Sequence, residues 1–346
     1  MEKNNKEKAL SDFFKNHRNI LIAFSGGVDS ALLAAAAVAA ASAAGSGAAC
    51  TAAADIAAAN TPTANTLTAN TLTANTPTAN TPTADTPTAS TPTANTASAG
   101  TKLLAVTVKT EFISDREIQA AQETANEIGI THIFIEKKML DFPEIKNNQK
   151  SRCYVCKKEL MGTLLKYAEE NGFETVVEGT NYSDVLLNDA GEIPRPGFSA
   201  ILELKEKRGE FLPKIESPLA DLKITKEEIR EMAGRKNLSA AGKPSGSCSA
   251  TRFSYETEIT ADMLKTIDSA EQKIKEIGAK QIRIRCHTDS AGRNFARIEV
   301  EKSERDIFFD PKNQEAVDEL IAFLKENGFS YVTVDLEGFR SGSMDI

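Results

Sequence analysis

A short glycine-containing turn after an apolar run constrains the fold of this 346-residue chain more than any other feature. The run Ile20–Phe24 is apolar throughout, as expected of a parallel strand that is buried on both faces. It is followed by Ser25, Gly26, Gly27, Val28, Asp29 and Ser30, and then by an alanine- and leucine-rich stretch that favours a helix. Two glycines let the backbone turn tightly and bring its N–H groups close to a ligand. A strand, a turn and a helix N-terminus in this order predict an anion-binding site.

This turn differs from the lysine-containing phosphate-binding loop in both residue types and spacing. It resembles the PP-loop of the ATP pyrophosphatase superfamily, whose members split ATP into AMP and pyrophosphate. The resemblance implies that Ser25–Ser30 bind the leaving pyrophosphate and that Asp29 helps to bind Mg²⁺. The alternative interpretation is an ordinary strand–turn–helix corner in which two glycines are tolerated.

Length and composition limit the classes of protein to consider. A chain of this length predicts two domains, and a formal net charge of −8 argues against a dedicated nucleic-acid surface. No apolar run is long enough to span a membrane without dilution by small residues, and the charged segment 1–8 does not resemble a signal peptide. The five cysteines follow no disulfide pattern, so we expect a cytoplasmic protein that uses its thiols for metal binding or catalysis.

The composition changes sharply between about residues 31 and 100, where Ala, Thr, Asn, Ser and Pro dominate. A five-residue unit, Asn-Thr-Pro-Thr-Ala with variants, recurs from Asn60 to Ala99. Such a segment has few large apolar side chains to bury, so we interpret it as a low-complexity insertion. A β-solenoid is the alternative interpretation. Ala31–Ala44 can continue the first helix, and Cys50 is assigned no role.

Predicted strands and helices alternate after the insertion. The predicted strands are Leu103–Val108, His132–Glu136 and Thr175–Gly179, and a helix beginning at Ser114 or Asp115 lies between the first two. This alternation predicts an α/β protein with a doubly wound parallel sheet. Ligands of such sheets bind beyond the carboxyl ends of the strands. We therefore expect Glu178, Gly179, Thr180 and Asn181 to face the same site as the Ser25–Ser30 turn.

Three cysteines form a second group of chemically active residues. Cys153 and Cys156 make a C-x-x-C pair at the start of a predicted helix, where the helix N-terminus and flanking cations are expected to lower their pKa values. Cys248 lies in a loop beside Arg252. Because no second C-x-x-C completes a four-thiolate zinc site, three thiols suit a [4Fe–4S] cluster with one iron free of protein ligands. Three unrelated thiols, and a zinc site with a different fourth ligand, are the alternatives.

Six segments together resemble the LarE-type sulfur transferases, a family with a PP-loop. They are Ser25–Ser30, Glu178–Asn181, Arg195–Gly197, Ser217–Leu219, Pro244–Arg252 and Leu336–Gly342. The family makes pyridinium-3,5-bisthiocarboxylic acid mononucleotide, the cofactor of nickel-pincer enzymes. The resemblance covers most of the chain outside residues 31–100.

The resemblance implies a two-stage reaction on pyridinium-3,5-biscarboxylic acid mononucleotide. A substrate carboxylate attacks the α-phosphate of ATP, and sulfur then displaces AMP from the acyl-adenylate. Some members sacrifice the sulfur of one cysteine, which corresponds to Cys248 here. Others bind a [4Fe–4S] cluster through cysteines that match Cys153, Cys156 and Cys248, and the cluster delivers sulfide. The C-x-x-C pair indicates the second kind.

The same resemblance implies roles for further residues. Cys248 and Glu178 are the expected catalytic residues, and Gly179, Thr180, Asn181 and Arg195 are expected to contact ATP together with Ser25–Ser30. The expected ligands of the substrate phosphate are Arg252, Arg283 and Arg285. A homo-oligomer, specifically a hexamer, is also expected.

The C-terminal part, residues 251–346, is predicted to form a smaller α/β domain after a PP-loop domain of residues 1–250. Its predicted helices are 261–277 and 314–327, and its predicted strands are Gln281–Arg285, Phe295–Val300 and Tyr331–Leu336. Arg283 and Arg285 lie on one face of their strand, a spacing that suits phosphate binding. A solvated face of an edge strand is the alternative interpretation.

Two other PP-loop activities compete with cofactor thiolation. A tRNA thiolase can use the same three cysteines, but the acidic composition argues against an RNA-binding surface. An amide-forming ligase does not need three cysteines. We therefore expect a small mononucleotide substrate and a sulfide source as partners, with no nucleic acid and no membrane.

Overall fold

The computed structural model describes residues 2–43, 102–189, 196–243, 246–340 and 344. The repeat tract, Cys50 and Arg195 lie outside these ranges, so the interpretations of the insertion and of Arg195 stay predictions. The predicted helix at Ala31–Ala44 is confirmed as far as Ala43.

A five-stranded parallel sheet organises the larger part of the described chain. Its strands are β1 (Ile20–Ala23), β2 (Leu103–Lys109), β3 (His132–Glu136), β4 (Thr175–Val177) and β5 (Lys214–Glu216). Their spatial order is β3-β2-β1-β4-β5, with Ile20 aligned to Leu103 on one side and to Thr175 on the other. The predicted doubly wound sheet is thereby confirmed. The strand order changes direction between β1 and β4, which is where such sheets bind ligands.

Helices cover both faces of this sheet. The helices of this part of the chain are α1 (Glu2–Asn16), α2 (Val28–Ala43), α3 (Asp115–Ile128), α4 (Pro143–Lys146), α5 (Arg152–Glu170), α6 (Tyr182–Asp189), α7 (Pro196–Arg208), α8 (Pro218–Asp221) and α9 (Lys226–Arg235). On one face, α1 and α9 pack against α2, whose buried alanines permit close approach. On the other face, α5 packs on α7, and Met161, Leu164 and Ile201 fill the space against the strands.

Local sequence explains the bounds of α3. Ser114 Oγ accepts a hydrogen bond from the N–H of Glu117, and the Glu117 carboxylate accepts one from the N–H of Ser114. This capping box satisfies donors that the first helical turn leaves free. At the other end, Gly129 adopts a left-handed conformation with φ of 76° and closes the helix through its N–H.

A second, three-stranded sheet follows in the C-terminal part. Its elements are α10 (Ala261–Glu276), β6 (Ile282–Thr288), β7 (Asn294–Val300), α11 (Gln314–Glu326) and β8 (Phe329–Val334), close to their predicted bounds. β7 is central, antiparallel to β6 and parallel to β8. The apolar core of this sheet also includes Phe112, Met139 and Ile145 from the first part of the chain. The boundary at residue 250 therefore stays a prediction. No helix within the described ranges is long and apolar enough to cross a membrane.

Candidate functional site

The Ser25–Ser30 turn connects the carboxyl end of β1 to the first turn of α2. Gly26 has a φ of 70°, and a Cβ atom there would lie 2.6 Å from the Cα of Ala121. Both the conformation and the space therefore require glycine. Ser30 Oγ donates to the Gly27 carbonyl at 3.1 Å and accepts from the Ser25 N–H at 3.2 Å. These bonds close the turn around the N-terminus of α2, where anions are favoured.

Asp29 lies in the first turn of α2, next to residues of two other elements. Its Oδ2 contacts Nζ of Lys226, and its Oδ1 lies 3.5 Å from Nδ2 of Asn181. Burial raises the pKa of the Asp29 carboxyl, an effect that Lys226 opposes and that the nearby Asp184 reinforces. Carboxylate and amide oxygens are suitable ligands for Mg²⁺. Asp29 therefore stays the predicted Mg²⁺ ligand.

Glu178 follows β4 and is only 1% exposed. Its carboxylate accepts hydrogen bonds from Ser217 Oγ, from the N–H and Oγ1 of Thr180, and from Nζ of Lys157 at 3.2 Å. Burial by itself would raise the pKa of Glu178, but Lys157 and the hydroxyl donors outweigh it and lower the pKa. This side chain is thus held ionised, and it orients Lys157. Its catalytic role stays a prediction.

Two cavities adjoin the turn. The first has a volume of about 430 Å³ and combines apolar side chains, including Val106, Leu160 and Met161, with Ser25 and Glu178. The second, of about 510 Å³, is lined by Asp29 and Asn181 together with three cations, which are Lys226, Arg230 and Lys243. The fold thus brings the Ser25–Ser30 turn and the Glu178–Asn181 segment to one site. A volume of this size and an apolar wall suit a small ligand such as a nucleoside.

The three cysteines are neighbours in the structure. Cys153 and Cys156 lie in the first turns of α5, and all three thiols are free. Cys153 and Cys248 are exposed, and Cys156 is half-buried. Burial raises the pKa of Cys156 to about 12, and the neighbouring Cys248 and Cys153 contribute to this rise.

The expectation that the helix N-terminus and flanking cations lower the pKa values of the C-x-x-C thiols is wrong for Cys156. Cys156 packs against the apolar core of the small sheet, and this burial outweighs the charge of Lys157. Cys248 is exposed over part of its surface, but the protein around its sulfur desolvates the thiol, so its pKa is also raised, against the opposing effects of the Ala250 N–H, Arg152 and Arg252. Among the described residues, no group of three or more His, Cys, Asp or Glu side chains is arranged as a ready metal site. The cluster stays a prediction.

Arg252 and Arg283 lie at a third cavity of about 230 Å³, between α3 and the small sheet. Arg252 binds Glu271 through two hydrogen bonds of 2.9 and 3.1 Å, and it also donates to the carbonyl of Ser247, next to Cys248. Arg283 Nε donates to Ser247 Oγ at 3.0 Å. This cavity therefore connects the predicted phosphate ligands to the loop of the third cysteine.

Arg285 has a different environment from Arg283. It is 4% exposed, pairs with Glu299 at 2.9 Å, and donates to the carbonyl of Thr251 at 2.8 Å. The alternative interpretation as a solvated strand face is therefore wrong for Arg285, because Glu299 and the residue 251 loop cover it. Arg285 does not belong to the lining of the third cavity. The next residue, Cys286, is buried in the apolar core of the small sheet.

Several cations at these cavities had no signal in the sequence. Lys226, Arg230 and Lys243 line the second cavity, and Arg116 and Lys275 line the third. Four of them belong to charged stretches that also suit an exposed helix face, and Lys243 is the one charged residue of a small-residue loop. Only the folded chain brings them next to the turn and to Arg283.

The parallel sheet and the turn at its switch point define an α/β protein of the PP-loop type. No family model matches the chain. The chain is 34% identical over 242 residues to an uncharacterized protein of Synechocystis and 32% identical over 241 residues to one of Methanocaldococcus jannaschii. Both matches cover 70% of this chain and 82% of the relative. The pyridinium-3,5-bisthiocarboxylic acid mononucleotide synthase of Lactiplantibacillus plantarum is 29% identical over 247 residues, which are 70% of this chain and 78% of that protein. The chain belongs to the family of these proteins, the LarE-type family.

Proposed function

We propose that this protein is an ATP-dependent sulfurtransferase that thiolates a carboxylate of pyridinium-3,5-biscarboxylic acid mononucleotide in nickel-pincer cofactor biosynthesis. A distant relative carries the name of the synthase for the corresponding thiolated product. In the proposed reaction the carboxylate attacks the α-phosphate of ATP and pyrophosphate leaves. Hydrosulfide then attacks the acyl carbon, a C–S bond forms, and AMP leaves with the electron pair of the broken C–O bond.

The main support for this proposal is that α5 both bears two of the cysteines and lines the cavity beside the Ser25–Ser30 turn. Cys153 and Cys156 occupy its first turns, and the next residues along it, Lys157, Leu160 and Met161, line the 430 Å³ cavity. One rigid helix therefore links the thiols to the proposed nucleotide site. An adenylating enzyme needs such proximity, because an acyl-adenylate that diffuses away is hydrolysed before it receives sulfur.

The residues around the 430 Å³ cavity suit the adenylation step. Negative charge develops on the phosphate oxygens when the carboxylate attacks, and N–H groups of the Ser25–Ser30 turn, Mg²⁺ bound at Asp29, and Lys157 can stabilise it. Glu178 keeps the ammonium of Lys157 at the cavity wall. The substrate mononucleotide would bind with its phosphate at Arg252 and Arg283.

Cys153, Cys156 and Cys248 would hold the proposed [4Fe–4S] cluster. They fit the donor requirement of such a cluster, because they are free thiols that lie close enough for the charge of one to raise the pKa of another. Such a cluster, bound by three thiolates, has one iron available for an exogenous sulfide. Arg252 orients the loop of Cys248 through its bonds to Ser247, whatever group the cysteine binds.

Anaerobic purification followed by iron and acid-labile sulfide analysis tests the source of sulfur. We expect iron and sulfide in the wild type and in C286A, whose altered thiol lies in the core of the small sheet, and little of either in C153A or C248A. An iron-free wild type would contradict the cluster. Loss of H₂S from Cys248 after turnover, detected by mass spectrometry, would then identify this cysteine as the donor.

Product analysis tests the reaction itself. Wild-type protein supplied with ATP, Mg²⁺, sulfide and the biscarboxylic mononucleotide is expected to release AMP and pyrophosphate and to form a thiocarboxylate. Unmodified tRNA serves as the competing substrate, and thiolation of tRNA instead of the mononucleotide would overturn the proposal.

A further inference from the structure

The two cavities beside the Ser25–Ser30 turn differ in their charge. Both are lined by Ser25, Asp29 and Asp184. The 430 Å³ cavity continues into apolar side chains, whereas the 510 Å³ cavity continues toward three cations from α9 and the segment after it. A ligand with an apolar base at one end and phosphates at the other would match this asymmetry if it lay across the turn.

Lys226 and Arg230 lie one helical turn apart on α9 and thus on one face of it. The NH1 atom of Arg230 donates to the carbonyls of Ala241 and Lys243, at 2.8 and 3.1 Å. These acceptors are uncharged, so they orient the guanidinium without neutralising it. Nζ of Lys243 lies 3.4 Å from Thr124 Oγ1, an uncharged hydrogen-bond partner, and the only carboxylate on which its charge is seen to act among the described residues is that of Glu127, whose pKa it helps to lower. Orienting bonds of this kind prepare cationic groups for an anion.

Lys226 is already engaged with the predicted Mg²⁺ ligand. Its Nζ contacts Asp29 Oδ2, while its backbone N–H donates a hydrogen bond to Ser183 Oγ at 3.0 Å. An ammonium on a flexible stem can move without disturbing the helix that carries it. Mg²⁺ carries a higher charge and prefers carboxylate oxygen, so it competes for the same position.

We propose that Lys226, Arg230 and Lys243 bind the β- and γ-phosphates of ATP, and that Lys226 pairs with Asp29 until Mg²⁺ replaces it. This inference rests on the proposed function, because it requires ATP to be split at the Ser25–Ser30 turn. The exchange keeps the charge of Asp29 compensated at every stage. It also releases an ammonium for the phosphates when the metal that accompanies them arrives.

Calorimetric titration with sodium pyrophosphate and, separately, with AMP in Mg²⁺ buffer tests the cationic wall. We expect K226M to weaken pyrophosphate binding about tenfold or more, since a charge-assisted contact is lost, and to leave AMP binding unchanged. K236M is the matched control, because Lys236 directly follows α9 but pairs with Glu7. Wild-type affinity for pyrophosphate in K226M would overturn the inference. A wild type that binds neither AMP nor pyrophosphate would instead contradict the proposed function.

The same titration without Mg²⁺ tests the exchange. We expect D29N to bind pyrophosphate more tightly than the wild type, because Lys226 is then free. The gain should vanish when D29N is combined with K226M, so that the D29N/K226M double variant binds pyrophosphate no more tightly than K226M does. A gain that persists in the double variant would come from removal of the Asp29 charge alone and would overturn the exchange, as would the absence of any gain in D29N.

Discussion

Nζ of Lys157 lies 3.2 Å from Oε2 of Glu178, and this ion pair joins α5 to the carboxyl end of β4. The carboxylate is almost fully buried, whereas the lysine reaches the wall of the 430 Å³ cavity. A buried carboxylate stays charged only when its partners offset the loss of water. The pair therefore connects the helix that bears two of the cysteines to the proposed nucleotide site.

We expect E178Q to lower stability in a pH-dependent way. The pKa of Glu178 is lowered in the folded protein, so its contribution is complete above the ordinary carboxyl pKa and is lost as the pH falls through the folded pKa. Urea unfolding should show a deficit of about 1–3 kcal/mol for E178Q at pH 7, which shrinks toward pH 4. E136Q, at the exposed end of β3, is the control. A deficit that does not depend on pH would contradict this assignment.

Alanine replacements at Gly26 and Gly129 separate the loss of stability caused by a positive φ from the loss caused by a steric clash. Gly129 also has a positive φ, of 76°, but a Cβ there meets no atom within 4 Å, so G129A should cost about 1–2 kcal/mol. G26A adds a clash with Ala121 and should cost about 2–5 kcal/mol in total. Chemical denaturation measures both. Equal losses would mean that the turn can move away from α3.

Loss of charge should destabilise the protein more at Glu299, the partner of Arg285, than at Arg283. Glu299 is fully buried between Arg285 at 2.9 Å and Arg297 at 2.8 Å, so E299Q should destabilise the protein by about 3–5 kcal/mol. R283Q should cost only about 1 kcal/mol, because Arg283 is half-buried and lies at a cavity. The same unfolding assay compares them. A larger loss in R283Q than in E299Q would show that Arg283 is the structural residue.

His132 should make the protein less stable as the pH falls from 7 to 5. Burial lowers its pKa from 6.5 to about 4. Over this pH range the imidazole is therefore protonated in the unfolded chain but stays neutral in the folded protein, which favours unfolding. The denaturant midpoint of H132Q should therefore fall less over this range than that of the wild type. His287 is shifted in the same direction, so H132Q/H287Q should flatten the profile further. An unchanged slope in H132Q would contradict this account.

Much of the sheet could be predicted because its signals are local. The apolar run Ile20–Phe24, the turn after it and the capping box of Ser114 and Glu117 each depend on residues within a few positions of one another. The pKa of Cys156 could not be predicted in this way. Its neighbours in the sequence are cations, but its surroundings in space are an apolar core supplied by the C-terminal sheet.

The candidate site shows the same division. Arg283 and Arg285 have equivalent positions in the strand pattern, yet Arg283 lines a cavity while Glu299 and Thr251 enclose Arg285. Glu299 is 14 residues away in the chain, and Thr251 is 34 residues away. Neither contact can be predicted from the charges of the residues that neighbour Arg285 in the sequence.

The sequence alone determined the α/β class, the Ser25–Ser30 turn and the three cysteines as chemical candidates, because periodicity and turn formation depend on short-range geometry. Only the tertiary structure decided which charges meet. Lys226 and Asp29 are 197 residues apart, and they pair because parallel strands bring their connections to one edge of the sheet. Burial, which decides the pKa of Cys156 and the role of Arg285, likewise depends on elements that are distant in the chain.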